Sequence, residues 1–101
     1  MLTDILRDTA VIERKVEVSG ALGQQVTWQN IGTYYCRLVP LDTEGRMAYQ
    51  QYAGRYLGRF IFRGSPPLSL NHRIVYHSEV YIPMDPPQDI EYGTIIVVRR
   101  E

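Results

Sequence analysis

The sequence predicts a mainly β protein, a small antiparallel barrel or sandwich of six to seven short strands. It also predicts a long, partly helical insertion between two core strands. Runs rich in β-branched and aromatic residues recur along the 101 residues, separated by turns that contain Gly or Pro. No helix-length pattern alternates with these runs, so the strands should pair antiparallel within one domain, 1–101. Roughly seven strands must then close on themselves, because open sheet edges are costly.

The first third of the chain is predicted to be a short arm followed by a β-meander. Apolar residues at helical spacing within 1–8 predict a short N-terminal helix or arm. Apolar and charged residues alternate over 9–18, which predicts a half-buried strand. Gly20 and Gly23 favour a loop over 19–25, and 26–31 is expected to resume as a strand with Val26 and Trp28 facing the core.

The centre of the chain holds two predicted core strands and the insertion that separates them. Gly32 permits a kink or bulge before a strand over 33–39, which ends at Pro40. A second apolar strand covers 56–62. The segment between them, 42–55, is far longer than a tight hairpin requires, and long insertions between strands often have a function of their own.

The insertion 42–55 is predicted to begin as a helix capped by Asp42 or Thr43 and to be soft at Gly45 and Gly54. Its apolar stripe is thin, so we expect it to be mobile in the free protein and ordered by a partner. The residues expected to contact a neighbouring subunit or to line a channel are Arg46, Met47, Tyr49, Tyr52 and Arg55.

The last third is predicted to contain three more strands. A polar connector over 64–70 precedes strands over 73–76 and 79–83, and a proline-containing loop over 85–89 precedes a closing strand over 91–99. The alternation of inward-facing positions predicts one core, made of Ile12, Val16, Trp28, Leu38, Phe60, Phe62, Ile74, Val80 and Ile96.

Composition and charge exclude several classes of protein. Eleven basic and eleven acidic residues cancel, so no overall field recruits nucleic acid or an acidic membrane surface. The single cysteine, Cys36, has no disulfide partner within the chain, which favours a reducing compartment. No apolar run has the length of a membrane span, and no signal peptide follows Met1, so we expect a soluble chain.

The residues that carry chemistry in enzymes are not arranged for catalysis. Cys36 lies in an apolar strand without a helix N-terminus to activate it, so a buried structural thiol is the favoured interpretation over a nucleophile working with His72 or His77. A metal site from those histidines with Glu79 and Asp85 lacks the usual ligand spacing. We therefore expect no enzyme, no metal and no cofactor.

A cluster of arginines and aromatic residues supports one alternative function. Arg55, Arg59 and Arg63, interleaved with Phe60, have the composition of a platform for single-stranded nucleic acid. On a strand, however, Phe60 lies on one face and the last two arginines on the other, so the rings should belong to the core. The eight tyrosines exceed what so small a core requires, and we expect some of them in subunit contacts.

In their order along the chain, these features resemble the head–tail connector family of tailed bacteriophages, the small head-closure or stopper proteins also called head–tail adaptors or joining proteins. The resemblance covers nearly the whole chain. It depends on Trp28 before a strand, on the run Cys36–Leu41 ending in Pro-Leu, on the polar excursion with Glu44 and Ala48, on Arg59–Phe62, on the hairpin of Arg73–Tyr76 with Tyr81, and on Ile95–Val98. His77 and Ser78 stand where the family has glycine, and Pro83 interrupts the return strand.

The resemblance implies a β-barrel that assembles as a ring, usually of twelve copies, at the head–tail junction of the virion. Such a ring lies beneath the portal and adaptor proteins, closes the DNA-filled head and gives a tail-completion or tail-tube protein a surface to dock on. DNA passing through the channel is a further expected contact. Assembly in the host cytoplasm, without membrane, cofactor or catalysis, completes what the resemblance implies.

Overall fold

The computed structural model describes residues 8–47, 49, 55–91 and 93–101. Over these residues the chain forms seven strands and one short helix. The strands are β1 (Asp8–Gly20), β2 (Gly23–Pro40), β3 (Leu57–Arg63), β4 (His72–Tyr76), β5 (Glu79–Pro83), β6 (Gln88–Ile90) and β7 (Gly93–Arg100), and the helix α1 is Thr43–Met47. No helix in this part of the chain is long and apolar enough to cross a membrane.

The strands form one antiparallel sheet in the order β3-β2-β1-β4-β5-β7-β6. β3 also pairs with β7, so six strands close into a ring and β6 lies outside it against β7. The closing pair needs Gly93, because a Cβ there would lie 2.5 Å from the Phe62 carbonyl oxygen. The predicted mainly β, antiparallel architecture of six to seven strands is confirmed.

The first two strands are much longer than the short strands that the sequence predicted. They contain 13 and 18 residues and form one hairpin. The predicted loop over 19–25 is wrong, because Gly20 and Gly23 pair around a two-residue turn. The expected irregularity at Gly32 is present as a shift in register: Ile12 pairs with Gly32, but Glu13 pairs with Asn30.

The core lies inside the closed ring, where the inward faces of the strands meet. Phe60 packs against the rings of Phe62, Tyr76 and Tyr81, with centroids 5.2–5.6 Å apart. The predicted parity of β3 is confirmed, since Phe60 and Phe62 are fully buried. The core cluster consists of Ala10, Ile12, Cys36, Phe60, Phe62, Ile74, Tyr81, Ile96 and Val98.

Four of the nine predicted core residues are not buried members of this cluster. Leu38 is partly buried and packs on its edge, and Val80 is also only partly buried. Val16 and Trp28 were predicted wrongly. Both are partly buried on the part of the β1–β2 hairpin that continues past the ring, and Trp28 lies on the face opposite Val16 because it pairs with Lys15.

We call residues 15–28 of this hairpin the ribbon. β1 pairs with β4 only as far as Arg14, so the ribbon begins where the ring ends. The molecule is correspondingly elongated, with principal extents of 49, 31 and 23 Å. A folded chain of this length has an expected radius of gyration of about 13 Å, and this one has 14.6 Å.

Two further predictions need correction or fall outside the described residues. The loop predicted over 85–89 is interrupted by β6. The long helical insertion is not seen, because α1 has only five residues and residues 48 and 50–54 are not described. The predicted N-terminal helix or arm falls almost entirely on residues 1–7, which also lie outside the described residues; Asp8 begins β1.

Candidate assembly surfaces

The insertion leaves the strand ring at a well-defined base. Leu41 is 7% exposed, and its N–H donates to the Leu57 carbonyl at 3.1 Å, which joins the two ends of the insertion. Asp42 caps α1, since its Oδ1 accepts from the Gly45 N–H at 2.7 Å and its carbonyl from the Arg46 N–H at 3.0 Å. The Leu41–Leu57 bond continues the β2–β3 pairing to the base of the insertion.

Within the insertion, Tyr49 connects the chain after α1 to the loop between β5 and β6. Its N–H donates to the Arg46 carbonyl at 3.0 Å, and its hydroxyl donates to the Asp85 carboxylate. That hydrogen bond is the largest cause that raises the pKa of Tyr49 to about 12, followed by burial and by the Asp85 charge, while Arg59 acts in the opposite direction. The bond is a latch that holds the described part of the insertion against the strand ring.

The other predicted contact residues of the insertion differ in exposure. Arg46 is partly buried, and its guanidinium donates to the Arg55 carbonyl at 3.1 Å. Met47 is 62% exposed and Arg55 is exposed. Tyr52 lies outside the described residues. Met47 and Arg55 therefore present an apolar and a cationic side chain to whatever meets the insertion.

The three arginines named as nucleic-acid contacts are all on the surface. Arg59 and Arg63 are exposed on the outer face of β3, and Arg55 precedes that strand. Phe60 is fully buried, so its ring is unavailable for stacking on a base. The expectation that this ring belongs to the core is confirmed, and the surface offers cations without Phe60 beside them.

The described residues hold no arrangement suited to nucleophilic or metal chemistry. Cys36 is fully buried, and burial raises the pKa of its thiol to about 12, with the Asp8 charge as a smaller cause. His72 shares a 2.8 Å hydrogen bond with the Ser69 hydroxyl, and burial, then the charge of Arg14, lowers its pKa. Across 8–47, 49, 55–91 and 93–101, no cluster of three or more His, Cys, Asp or Glu side chains is placed to hold a metal.

The ribbon is the surface that the sequence-based prediction missed. Val18 and Val26 are 49% and 50% exposed, and Leu22 at the turn is 94% exposed. At its base, the Arg73 guanidinium lies 4.3 Å from the centre of the Trp28 ring and donates to the Glu13 carboxylate at 2.6 Å. One signal was available in the sequence, because residues 20–36 contain no charged residue.

Comparisons with known proteins show that two solved structures share this fold. No family model matches the chain, and no curated protein matches it. The chain is similar to the solution structure of protein SF1141 from Shigella flexneri 2a, with a TM-score of 0.77 and 16% identity over 94% of this chain and 92% of that one. It is also similar to a chain from the virion of a native gene transfer agent particle, with a TM-score of 0.62 and 16% identity over 95% and 94% of the two chains. At these identities the shared property is the fold.

Proposed function

We propose that this chain is a structural virion protein that forms a ring at the head–tail interface of a tailed phage or phage-like particle. The ring closes the DNA-filled head and gives the tail a surface to dock on. One observation carries the proposal: 95% of the chain shares its fold with a chain of a gene transfer agent virion. The role requires no catalysis and no cofactor.

The way in which the insertion is attached supports this role. The hydrogen bond between Leu41 and Leu57 joins β2 to β3 beneath the insertion, and the latch between Tyr49 and Asp85 is a single bond on the surface. A segment held in this way can change partners without unfolding the core, since local opening costs far less than global unfolding. We propose that the insertion contacts a neighbouring copy or lines the DNA channel.

The exposed arginines fit a position facing DNA. Arg55 and Arg59 flank the start of β3 beside the insertion, and Arg63 lies at the end of the same strand. In a ring, each copy would add these cations to one surface, which suits sequence-independent contact with phosphates. The remaining partners follow from position: portal and adaptor proteins on the head side, and a tail-completion or tail-tube protein on the other.

A complementation experiment tests the proposal in the particle that encodes the chain. Residues 45–53 are replaced by a short Gly/Ser linker, which should leave the strand ring folded because loop length has a small entropic cost. We expect heads that package DNA but lose it, and tails that fail to attach. The wild-type chain supplied from a plasmid is the control for restored infectivity, and thermal unfolding of the purified variant checks its fold.

Two outcomes would contradict the proposal at different levels. Full infectivity of the linker variant would remove the insertion from the mechanism. Complete, DNA-filled, tailed particles made in the absence of the whole chain would remove the head–tail role itself.

A further inference from the structure

The ribbon extends past the closed ring with both of its edges open. On one side, β1 pairs with β4 as far as Arg14, and the Lys15 N–H donates to the Asn71 carbonyl at 3.0 Å. On the other side, β3 pairs with β2 only from Cys36 to Pro40. Apart from pairing with each other, β1 after these contacts and β2 before Cys36 have no partner among the described strands. Open edges of this kind offer N–H and C=O groups to another chain.

The turn geometry identifies the backbone groups that point outward. Around a two-residue turn, Gly20 and Gly23 exchange hydrogen bonds, and every second pair after them does the same. The intervening residues direct their N–H and C=O groups away from the hairpin. Lys15 has this parity, and its outward N–H indeed finds Asn71. The open outward positions are Glu17 and Ser19 on β1 and Gln24, Val26 and Trp28 on β2.

The β2 edge lacks the features that keep exposed edges apart. Natural edge strands are protected by lysine, by other charges or by proline. Residues 20–36 contain none of these, in a chain in which 22% of the residues are charged. A two-stranded ribbon is also marginally stable in water until a third strand or another layer covers it. Val18 and Val26 lie on opposite faces of the ribbon, and a strand added at an edge would cover part of the neighbouring valine.

We propose that the β2 edge of one ribbon pairs with the β1 edge of the ribbon of a second copy. Every copy carries both halves of this contact. The uncharged β2 edge offers nothing to a charged partner such as nucleic acid. The β1 edge of the ribbon adds Lys15 and Glu17, whose opposite charges lie 3.6 Å apart and cancel. An edge of this character complements another uncharged strand.

The direction of the strands makes the contact repeatable. β1 and β2 are antiparallel within one copy. Copies related by rotation about an axis along the ribbon keep the same direction, so β2 of one copy meets an antiparallel β1 of the next. Such a head-to-tail contact closes into a ring and places every Ala21–Leu22 turn at one end. This inference rests on the proposed ring and assigns one of its subunit contacts to the ribbon.

A proline at Val26 tests the pairing, because it removes an outward N–H and leaves the inward hydrogen bonds of its neighbours in place. Val26→Thr is the matched control, since it keeps the N–H and a β-branched side chain. The full-length chain is measured by native mass spectrometry over a range of concentrations. We expect Val26→Thr to assemble like the wild type and Val26→Pro to assemble at least about tenfold more weakly, as the loss of one or two hydrogen bonds implies.

Cross-linking decides the matter even if the proline variant fails to fold. Glu17→Cys and Val26→Cys chains are prepared separately, and a short bismaleimide is added to each alone and to their mixture. Cys36 is buried and does not compete for the reagent. The proposal predicts cross-linked pairs in the mixture only.

The remaining outcomes separate this inference from the proposed function. Cross-links in Val26→Cys alone would mean a two-fold β2–β2 contact and would overturn the head-to-tail pairing. Two results would overturn the ribbon contact but leave the oligomeric ring. One is a wild-type chain that forms rings while the mixture of the two cysteine variants gives no cross-link. The other is a folded Val26→Pro chain that assembles as well as the wild type. A wild-type chain that stays at 11.7 kDa under all conditions, including with the other components of its particle, would overturn the ring itself.

Discussion

The closed ring and the ribbon are built from the same two strands but differ in the burial of their apolar side chains. In the ring, Ala10 and Ile12 of β1 and Cys36 of β2 are at most 2% exposed. In the ribbon, Val18, which has the same parity on β1 as Ala10 and Ile12, is 49% exposed. The alternation of residues along β1 continues from one region into the other. The difference shows that alternation sets which side of a strand is apolar, while closure of the ring decides which part of that side is buried.

Truncating an aromatic side chain of the core should give the largest loss of stability. If it does not, the contrast between the strand ring and the ribbon is wrong. Phe60→Ala removes a fully buried side chain that contacts three other aromatic rings, so it should lower the free energy of unfolding by about 3–5 kcal/mol. Leu22→Ala, at the 94% exposed tip of the ribbon, should change it by less than about 0.5 kcal/mol. Urea denaturation of the monomer measures both, and equal losses would mean that the two regions do not differ.

Truncating Trp28 should give the next largest loss of stability. Its size distinguishes the position seen in the structure from the core position that the sequence predicted. As a core residue it would contribute about 3–5 kcal/mol. On the ribbon, with the Arg73 guanidinium 4.3 Å from the centre of its ring, Trp28→Ala should cost only about 1–2 kcal/mol. Trp28→Phe keeps a ring face and should recover part of that loss. A cost for the alanine variant as large as that of Phe60→Ala would place Trp28 in the core after all.

A substitution in the tight hairpin between β4 and β5 should stabilise the fold, whereas the two truncations above destabilise it. His77 and Ser78 have φ values of 50° and 64°, a region that favours glycine. Ser78→Gly should therefore raise the free energy of unfolding by about 0.5–1 kcal/mol. His77 is left in place because its ring stacks on Tyr76, with centroids 3.9 Å apart. Glu79→Gly, within β5, is the control and should destabilise; if both glycines destabilise, the turn geometry is wrong.

The smallest effect concerns the latch and depends on pH. In the folded chain the pKa of Tyr49 is raised to about 12, above its value of about 10 in an unfolded chain. The hydrogen bond to Asp85 therefore contributes fully below pH 10, and its contribution is lost as the pH rises towards 12. Because the side chain is partly exposed, we expect Tyr49→Phe to cost only a few tenths of a kcal/mol at pH 7–9.

Unfolding measured from pH 7 to 12 checks the latch. The difference between wild type and Tyr49→Phe should be constant below pH 10 and vanish near pH 12. Asp85→Asn, which keeps an acceptor but loses the charge, is the control and should retain part of the difference. A difference that grows at alkaline pH would have the wrong sign for this hydrogen bond.

The predictions from sequence succeeded where local pattern and packing agree. The parity of β3, with Phe60 inside and Arg59 outside, needed only alternation, and Asp42 as helix cap needed only a side chain that accepts hydrogen bonds. The ribbon could not be predicted in the same way. Alternation placed Val16 and Trp28 on one inward face, but the register shift after Ile12 pairs Trp28 with Lys15 and so directs it to the face opposite Val16.

The candidate surfaces were predictable only in part for a similar reason. The length of 42–55 pointed to a functional insertion, and Arg46 and Tyr49 were named within it. The partner of Tyr49 is Asp85, 36 residues further along the chain, and only the fold brings the two together. The uncharged run 20–36 was visible in the sequence, but its meaning depends on the open edge that the topology reveals.

We propose that the strand ring is a stable unit whose projecting surfaces serve assembly at the head–tail junction. The most direct test is the mass of the full-length protein, alone and mixed with the portal–adaptor complex of its own particle. The account predicts one closed species whose mass is a fixed multiple of 11.7 kDa and which binds that complex. A chain that remains at 11.7 kDa at every concentration and leaves the complex unchanged would contradict it.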